Sequence, residues 1–230
     1  MSITSSTLTR AAAVAAALYG LIYIVIQFIH PADVVESLGT QLWVTVHILS
    51  FAMAVFALIG ITGIYLRQIR QFGVLGLVGY LMFGLFFLLQ SAFNFAEAFI
   101  APLLVADAPQ FAVDFVGLFG RYPAVTDLGV LKALPLVGAA LYVGGAVLFG
   151  VAVIRARMLS RGAGILMIVA AAVTPVAGAL LPHALERMAA VPMGLALIWL
   201  GYSLWADVRK PASLPLAAAS EPRLDPTAAV

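Results

Sequence analysis

Cysteine is absent from the 230-residue chain, and Asp, Glu, Lys and Arg together make up only 10% of it. Without thiols there can be no disulfide framework, no iron–sulfur cluster and no Cys-ligated structural zinc. Soluble domains carry about 25% charged residues, so the chain has too few charges to solvate a folded surface in water. Its 20 glycines and 12 prolines follow no period, which excludes a collagen-like fibre. The chain has no His-Glu-x-x-His, Gly-x-Ser-x-Gly, P-loop or Gly-x-Gly-x-x-Gly sequence. Nucleic acid is not an expected partner, because the basic residues are scattered rather than interleaved with aromatics on one face.

Apolar sequence fills the space the charges leave. Hydrophobic residues reach 64% and mean hydropathy is +1.12. About 20 helical residues cross a hydrocarbon core, and six runs are long enough: 11–29, 42–66, 74–100, 128–154, 163–181 and 188–205. They are continuous rather than alternating, which points to helices and not to a transmembrane barrel. The expected fold is all-α, a polytopic bundle of six transmembrane helices over residues 1–206. The first run reads as a retained helix rather than a cleaved signal peptide, since no small-x-small cleavage site follows Phe28-Ile29-His30-Pro31. Residues 207–230, punctuated by Pro211, Pro215, Pro222 and Pro226, read as a disordered cytoplasmic tail.

The distribution of charge gives an orientation. With the N-terminus inside, nine of the 12 basic residues (Arg10, Arg67, Arg70, Arg155, Arg157, Arg161, Arg209, Lys210 and Arg223) fall on the inner side, against Arg121, Lys132 and Arg187 outside. Both termini are therefore expected in the cytoplasm. Two short basic turns, around Arg67–Arg70 and Arg155–Arg161, suggest a duplicated hairpin, and convergence explains them equally well. One outer connection has its own pattern. Phe111, Phe115, Leu118 and Phe119 share one side of an expected interfacial helix over 108–120, with Gln110, Asp114 and Arg121 on another, Asp107 at its start and Gly120 at its end. It reads as a connector or as a lid.

Polar residues inside lipid-facing helices need a reason. Three helices carry them at i, i+4 and i+7: Tyr23, Gln27 and His30; Trp43, His47 and Ser50; Gln90, Asn94 and Glu97. Each triple occupies one stripe of its helix, and the topology puts all three toward the outer side, where His183 and Glu186 also fall. The candidate ligand-binding residues are His47, Glu97, Asn94, His30, Gln27, Gln90 and Ser50. His47 lies about 8 Å into its helix at ~1.5 Å per residue, which makes it harder to explain than groups at the helix ends that snorkel to headgroups. An imidazole and a carboxylate in a partly dry pocket can share a proton, orient a polar substrate or hold a divalent ion. If a metal is bound, His30, His47 and His183 are its candidate ligands. A haem between His47 and His183 is the weaker expectation.

The stretch from His30-Pro31 through Trp43, His47, Gly60, Gly63-Ile64-Tyr65, Gly73 and Gly76 to Phe95-Ala96-Glu97-Ala98-Phe99-Ile100-Ala101-Pro102-Leu103 resembles a widespread group of bacterial polytopic membrane proteins with no agreed activity. The resemblance covers residues 28–110 and implies a multi-pass protein of the bacterial cytoplasmic membrane. For function, the residues leave two leading classes. One is a protein with an outward-facing polar pocket for a small ligand or proton, or a subunit of a membrane complex, with lipids, other membrane proteins or a second copy as partners. The other is an intramembrane metal-dependent lipid hydrolase with Glu97 as general base. A subunit of a redox or photosynthetic complex is a third, recognisable by a visible spectrum.

Overall fold

The computed structural model describes residues 3–120, 123–181 and 183–209, apart from the side chains of residues 183 and 184. Ten α-helices account for most of them: α1 (Ser5–Ile29), α2 (Val35–Leu38), α3 (Gln41–Arg67), α4 (Ile69–Phe99), α5 (Ala101–Leu104), α6 (Pro109–Val116), α7 (Leu134–Ala156), α8 (Arg161–Leu180), α9 (His183–Glu186) and α10 (Val191–Val208). Six of these, α1, α3, α4, α7, α8 and α10, are long and apolar enough to cross a membrane, α7 and α10 each being extended by a preceding 3-10 turn. The protein is an all-α, multi-pass membrane bundle.

Helix ends follow local chemistry. The Thr4 hydroxyl accepts the Thr7 amide at 3.2 Å and starts α1 six residues before the apolar run that predicts it. Thr40 does the same for α3 through the Trp43 amide at 3.2 Å. Proline, whose missing N–H costs nothing in a first turn, opens α6, α7 and α10. The connection between α3 and α4 is a single residue, Gln68, and the first turn of α4 is bent at Gly73, whose φ of 56° is left-handed. A residue without Cβ adopts that conformation at no steric cost. At the other short turn the left-handed position is Arg157, so the two proposed repeat hairpins turn by different means. Residues 207–209, expected in the tail, extend α10 and its cap; the rest of the tail, 210–230, lies outside the described residues.

The spanning helices form a closed ring in chain order. α1 packs on α3, α3 on α4, α4 on α7, α7 on α8, α8 on α10, and α10 returns to α1. Lipid supplies no hydrophobic drive between helices, so close approach and dispersion must hold the ring. At the α1–α10 seam Gly20 and Gly194 face one another, and a Cβ on Gly20 would collide with the Gly194 carbonyl oxygen. At the α4–α7 seam a Cβ on Gly145 would lie 2.5 Å from the Phe83 amide nitrogen. Tyr19, Phe83, Phe87 and Phe149 fill the interior.

The alternating directions of the helices give the bundle two ends. The basic end holds the start of α1, the α3–α4 and α7–α8 turns and the end of α10. There Arg67 Nε donates to Asp207 Oδ2 at 2.8 Å, and the guanidinium groups of Arg10 and Arg209 lie over the Trp205 ring at 5.9 and 5.5 Å. The opposite end holds the end of α1, the start of α3 and the end of α4, and with them His30, His47 and Glu97.

A candidate ligand cavity at the histidine end

Trp43, in the first turn of α3, is the organising residue. It is wholly buried, and its indole Nε1–H donates to the Glu97 carbonyl at 2.9 Å, tying the start of α3 to the end of α4. One turn on, the His47 ring stacks on the indole with centroids 4.0 Å apart. His47 Nδ1 lies 2.8 Å from the Trp43 carbonyl oxygen. A carbonyl only accepts, so Nδ1 carries the proton and Nε2 of the neutral ring is left with its lone pair. That nitrogen is buried without a hydrogen-bond partner and points toward Glu97 Oε2 at 3.7 Å. The gap is too long for a hydrogen bond. His30 closes the group from the end of α1: its ring lies edge to face with His47 at 5.1 Å, and its own Nδ1 donates to the Pro31 carbonyl at 2.7 Å.

Next to this cluster is a cavity of about 320 Å³. One wall is a single face of α4, formed by Phe86, Leu89, Gln90, Phe93, Asn94 and Glu97 at helical spacing. His30, Asp33, Glu186 and Arg187 contribute polar groups, and Val116, Phe119, Gly120 and Gly138 complete the lining. Gln90 Oε1 and Asn94 Nδ2 are buried without partners. Buried amide groups are nearly always hydrogen-bonded in folded proteins, so two such groups one turn apart, both on the lining, form a conspicuous recognition pair. His47 does not line the cavity and stands behind Glu97.

The three polar stripes contribute unequally. His30, Gln90, Asn94 and Glu97 line the cavity. Gln27 is satisfied within its own helix, its Nε2 donating to the Tyr23 carbonyl at 2.9 Å, and the Ser50 hydroxyl likewise donates to the Val46 carbonyl at 3.0 Å; neither reaches the cavity. The side chain of His183 lies outside the described residues. Among the described residues no group of three or more His, Asp or Glu could hold a metal ion. His30 and His47, the described imidazole pair, leave no porphyrin-wide gap between their rings.

The connection after α5 forms part of the site. α6 begins at Pro109 without a side-chain cap, so Asp107 does not take the capping place expected of it, and the helix continues as a 3-10 turn over Gly117–Phe119. Phe115 and Phe119 each pack on Phe93 at 4.9 Å. Asp114, expected on the polar side, is turned inward and accepts from Gln110 Nε2 at 3.0 Å and from the amides of Val125 and Thr126 at 3.0 and 2.6 Å. Burial alone would raise its carboxyl. The hydrogen bonds from Thr126, Gln110 and Val125 outweigh that and hold it below the ordinary aspartate range. Reading the sequence did not single out Asp33, Phe93, Phe119 or Arg187 as site residues. For the α4 rings the signal was present in their spacing with Gln90, Asn94 and Glu97.

No family model matches the chain, and comparison with curated proteins and with solved structures finds no match either.

Proposed function

We propose that this membrane protein binds a small polar ligand in the cavity at its histidine end, with the His47–Glu97 pair holding one exchangeable proton beside it. The observation that carries the reading is Asn94: 8% exposed, on the cavity lining, with a side-chain amide whose inward atom, Nδ2 as placed and Oδ1 after a half-turn, has no hydrogen-bond partner among the described residues. Leaving a buried amide unpaired costs about 1–3 kcal/mol, and a ligand that completes it recovers that energy. The proton follows from charge balance. A buried Glu97 and His47 are electrically neutral together when they hold one proton between Oε2 and Nε2, on either partner, and both the empty and the doubly protonated pair would bury a net charge.

The positive-inside distribution supports an outward-facing cavity and cytoplasmic termini. The resemblance over residues 28–110 supports the bacterial cytoplasmic membrane. The exposed apolar flanks suit lipid, another membrane protein or a second copy. The test compares small molecules co-purifying with the wild type and with Asn94→Leu, by mass spectrometry of extracts from detergent-purified protein. A polar compound held by the wild type and lost from the variant is expected; identical extracts would sink the pocket. Elemental analysis of the same samples checks the hydrolase alternative, which requires a near-stoichiometric divalent ion on His30, His47 and His183 with Glu97 as general base.

A further inference from the structure

The cavity lining carries the Glu97 carboxylate and an unpartnered amide oxygen on Gln90, and its body is aromatic. Glu97 presents a carboxylate on the cavity lining, its Oε2 lying 3.7 Å from His47 Nε2. Gln90 presents an unpartnered amide oxygen one helical face away. The Asn94 amide is symmetric in shape, so a half-turn of its side chain offers Oδ1 at the place where Nδ2 now stands. Phe86, Phe93 and Phe119 form the apolar walls, and aromatic faces attract cations. The groups facing the pair from the surrounding segments are His30 at the end of α1, Asp33 just beyond it, Glu186 of α9 and Arg187 before α10. Among the described residues this rim has two carboxylates and one guanidinium.

Building on the pocket reading, we propose that the ligand is a small organic cation, a primary or secondary ammonium on an apolar or aromatic body, and that its binding expels one proton from the His47–Glu97 pair. The ammonium N–H groups donate to the Glu97 carboxylate and to the Gln90 and Asn94 amide oxygens, while the ring or chain lies among the phenylalanines. Before binding, the pair is neutral with its single proton. A cation entering beside it would bury a net positive charge, which a partly dry site resists strongly. Neutrality returns when the pair's proton passes to bulk water, leaving Glu97 ionised against the ammonium and His47 neutral, its Nδ1–H still donated to the Trp43 carbonyl. No covalent bond is made or broken apart from that transfer. The exchange is one cation for one proton, with Glu97 touching both and His47 positioning the carboxylate from behind.

The test is titration calorimetry of the full chain in a non-ionic detergent, with benzylammonium chloride as the probe and benzyl alcohol as its uncharged isostere. Two buffers of different ionisation enthalpy report the protons released. Benzylammonium is expected to bind with release of about one proton and an affinity rising up to about tenfold per pH unit between about pH 6 and 8. Benzyl alcohol should bind at least about tenfold more weakly and release none. Glu97→Gln, checked for folding by thermal unfolding, should abolish the preference. Alcohol binding as tightly as the amine, or amine binding without proton release, overturns the cation inference and leaves the pocket reading standing, since both probes then still enter. Absence of amine binding at up to about 10 mM also overturns it, and the Asn94→Leu comparison decides the pocket separately.

Discussion

The two ends of the bundle handle their charged groups in different ways. At the basic end Arg67 meets Asp207 at 2.8 Å with the arginine side chain 41% exposed, and Arg10 and Arg209 rest over Trp205. Those groups are paired and close to solvent, and their work is to staple the ends of α1, α3 and α10. At the histidine end His47 and Asn94 are buried with nitrogen atoms that lack partners. An exposed ion pair is satisfied by water as well as by its partner. A buried amide or imidazole has only what the protein or a ligand supplies. Gln68 Oε1 at the basic end also lacks a partner, but the unfilled groups of the histidine end lie on or beside a cavity, and that is where binding energy is available.

The sharpest way to break this contrast is Trp43→Ala. The indole is fully buried, stacks on His47 and anchors the Glu97 carbonyl, so its loss should cost about 3–5 kcal/mol and release His47 from its orientation. Thermal unfolding in detergent reads the first effect, and the histidine resonance in NMR the second. Asp114→Ala comes next. Removing an acceptor of three hydrogen bonds should cost about 1–2 kcal/mol and raise hydrogen exchange at Val125 and Thr126 while α1 is unchanged. The pH dependence has a definite sign. Because the folded carboxyl sits below the ordinary aspartate range, its contribution is complete above that range and disappears as pH falls through the lower, folded value, so acid should loosen this segment first.

A change in the opposite direction is expected at Asn94. Asn94→Leu removes an unpartnered buried amide and fills space, and should stabilise the empty protein by about 1 kcal/mol. A destabilised variant would show that the amide has a structural partner after all. The smallest effect belongs to the basic end: Arg67→Ala should change stability by under about 1 kcal/mol, and less at high salt. A loss as large as that of Trp43→Ala would erase the contrast between the ends.

Much of the architecture was legible because lipid imposes a simple rule. Every backbone polar group must be satisfied within the segment that crosses, so long apolar runs have to be helices, and all six expected runs are helical. Their limits moved where capping side chains acted: Thr4 lengthened α1, and Gly73 bent the start of α4. The small helices α2, α5 and α9 escaped notice, since four residues carry too little periodicity to be read.

The site was half legible. Helical spacing places Gln90, Asn94 and Glu97 on one face without any knowledge of neighbours, and the same holds for Trp43 with His47. The sequence by itself therefore determined the six helices, their polar stripes and the segregation of charge between two ends, because each depends only on chain geometry and on the solvent the chain must meet. Which stripes face one another was decided by the ring of helix contacts, built on seams such as Gly20 against Gly194, and no spacing rule contains that information. The ring brought His47 to Glu97 and His30 to His47, left Gln27 and Ser50 bonded within their own helices, and turned Asp114 inward beside the cavity. Spacing sets the direction of a side chain on its helix; only packing sets what lies opposite.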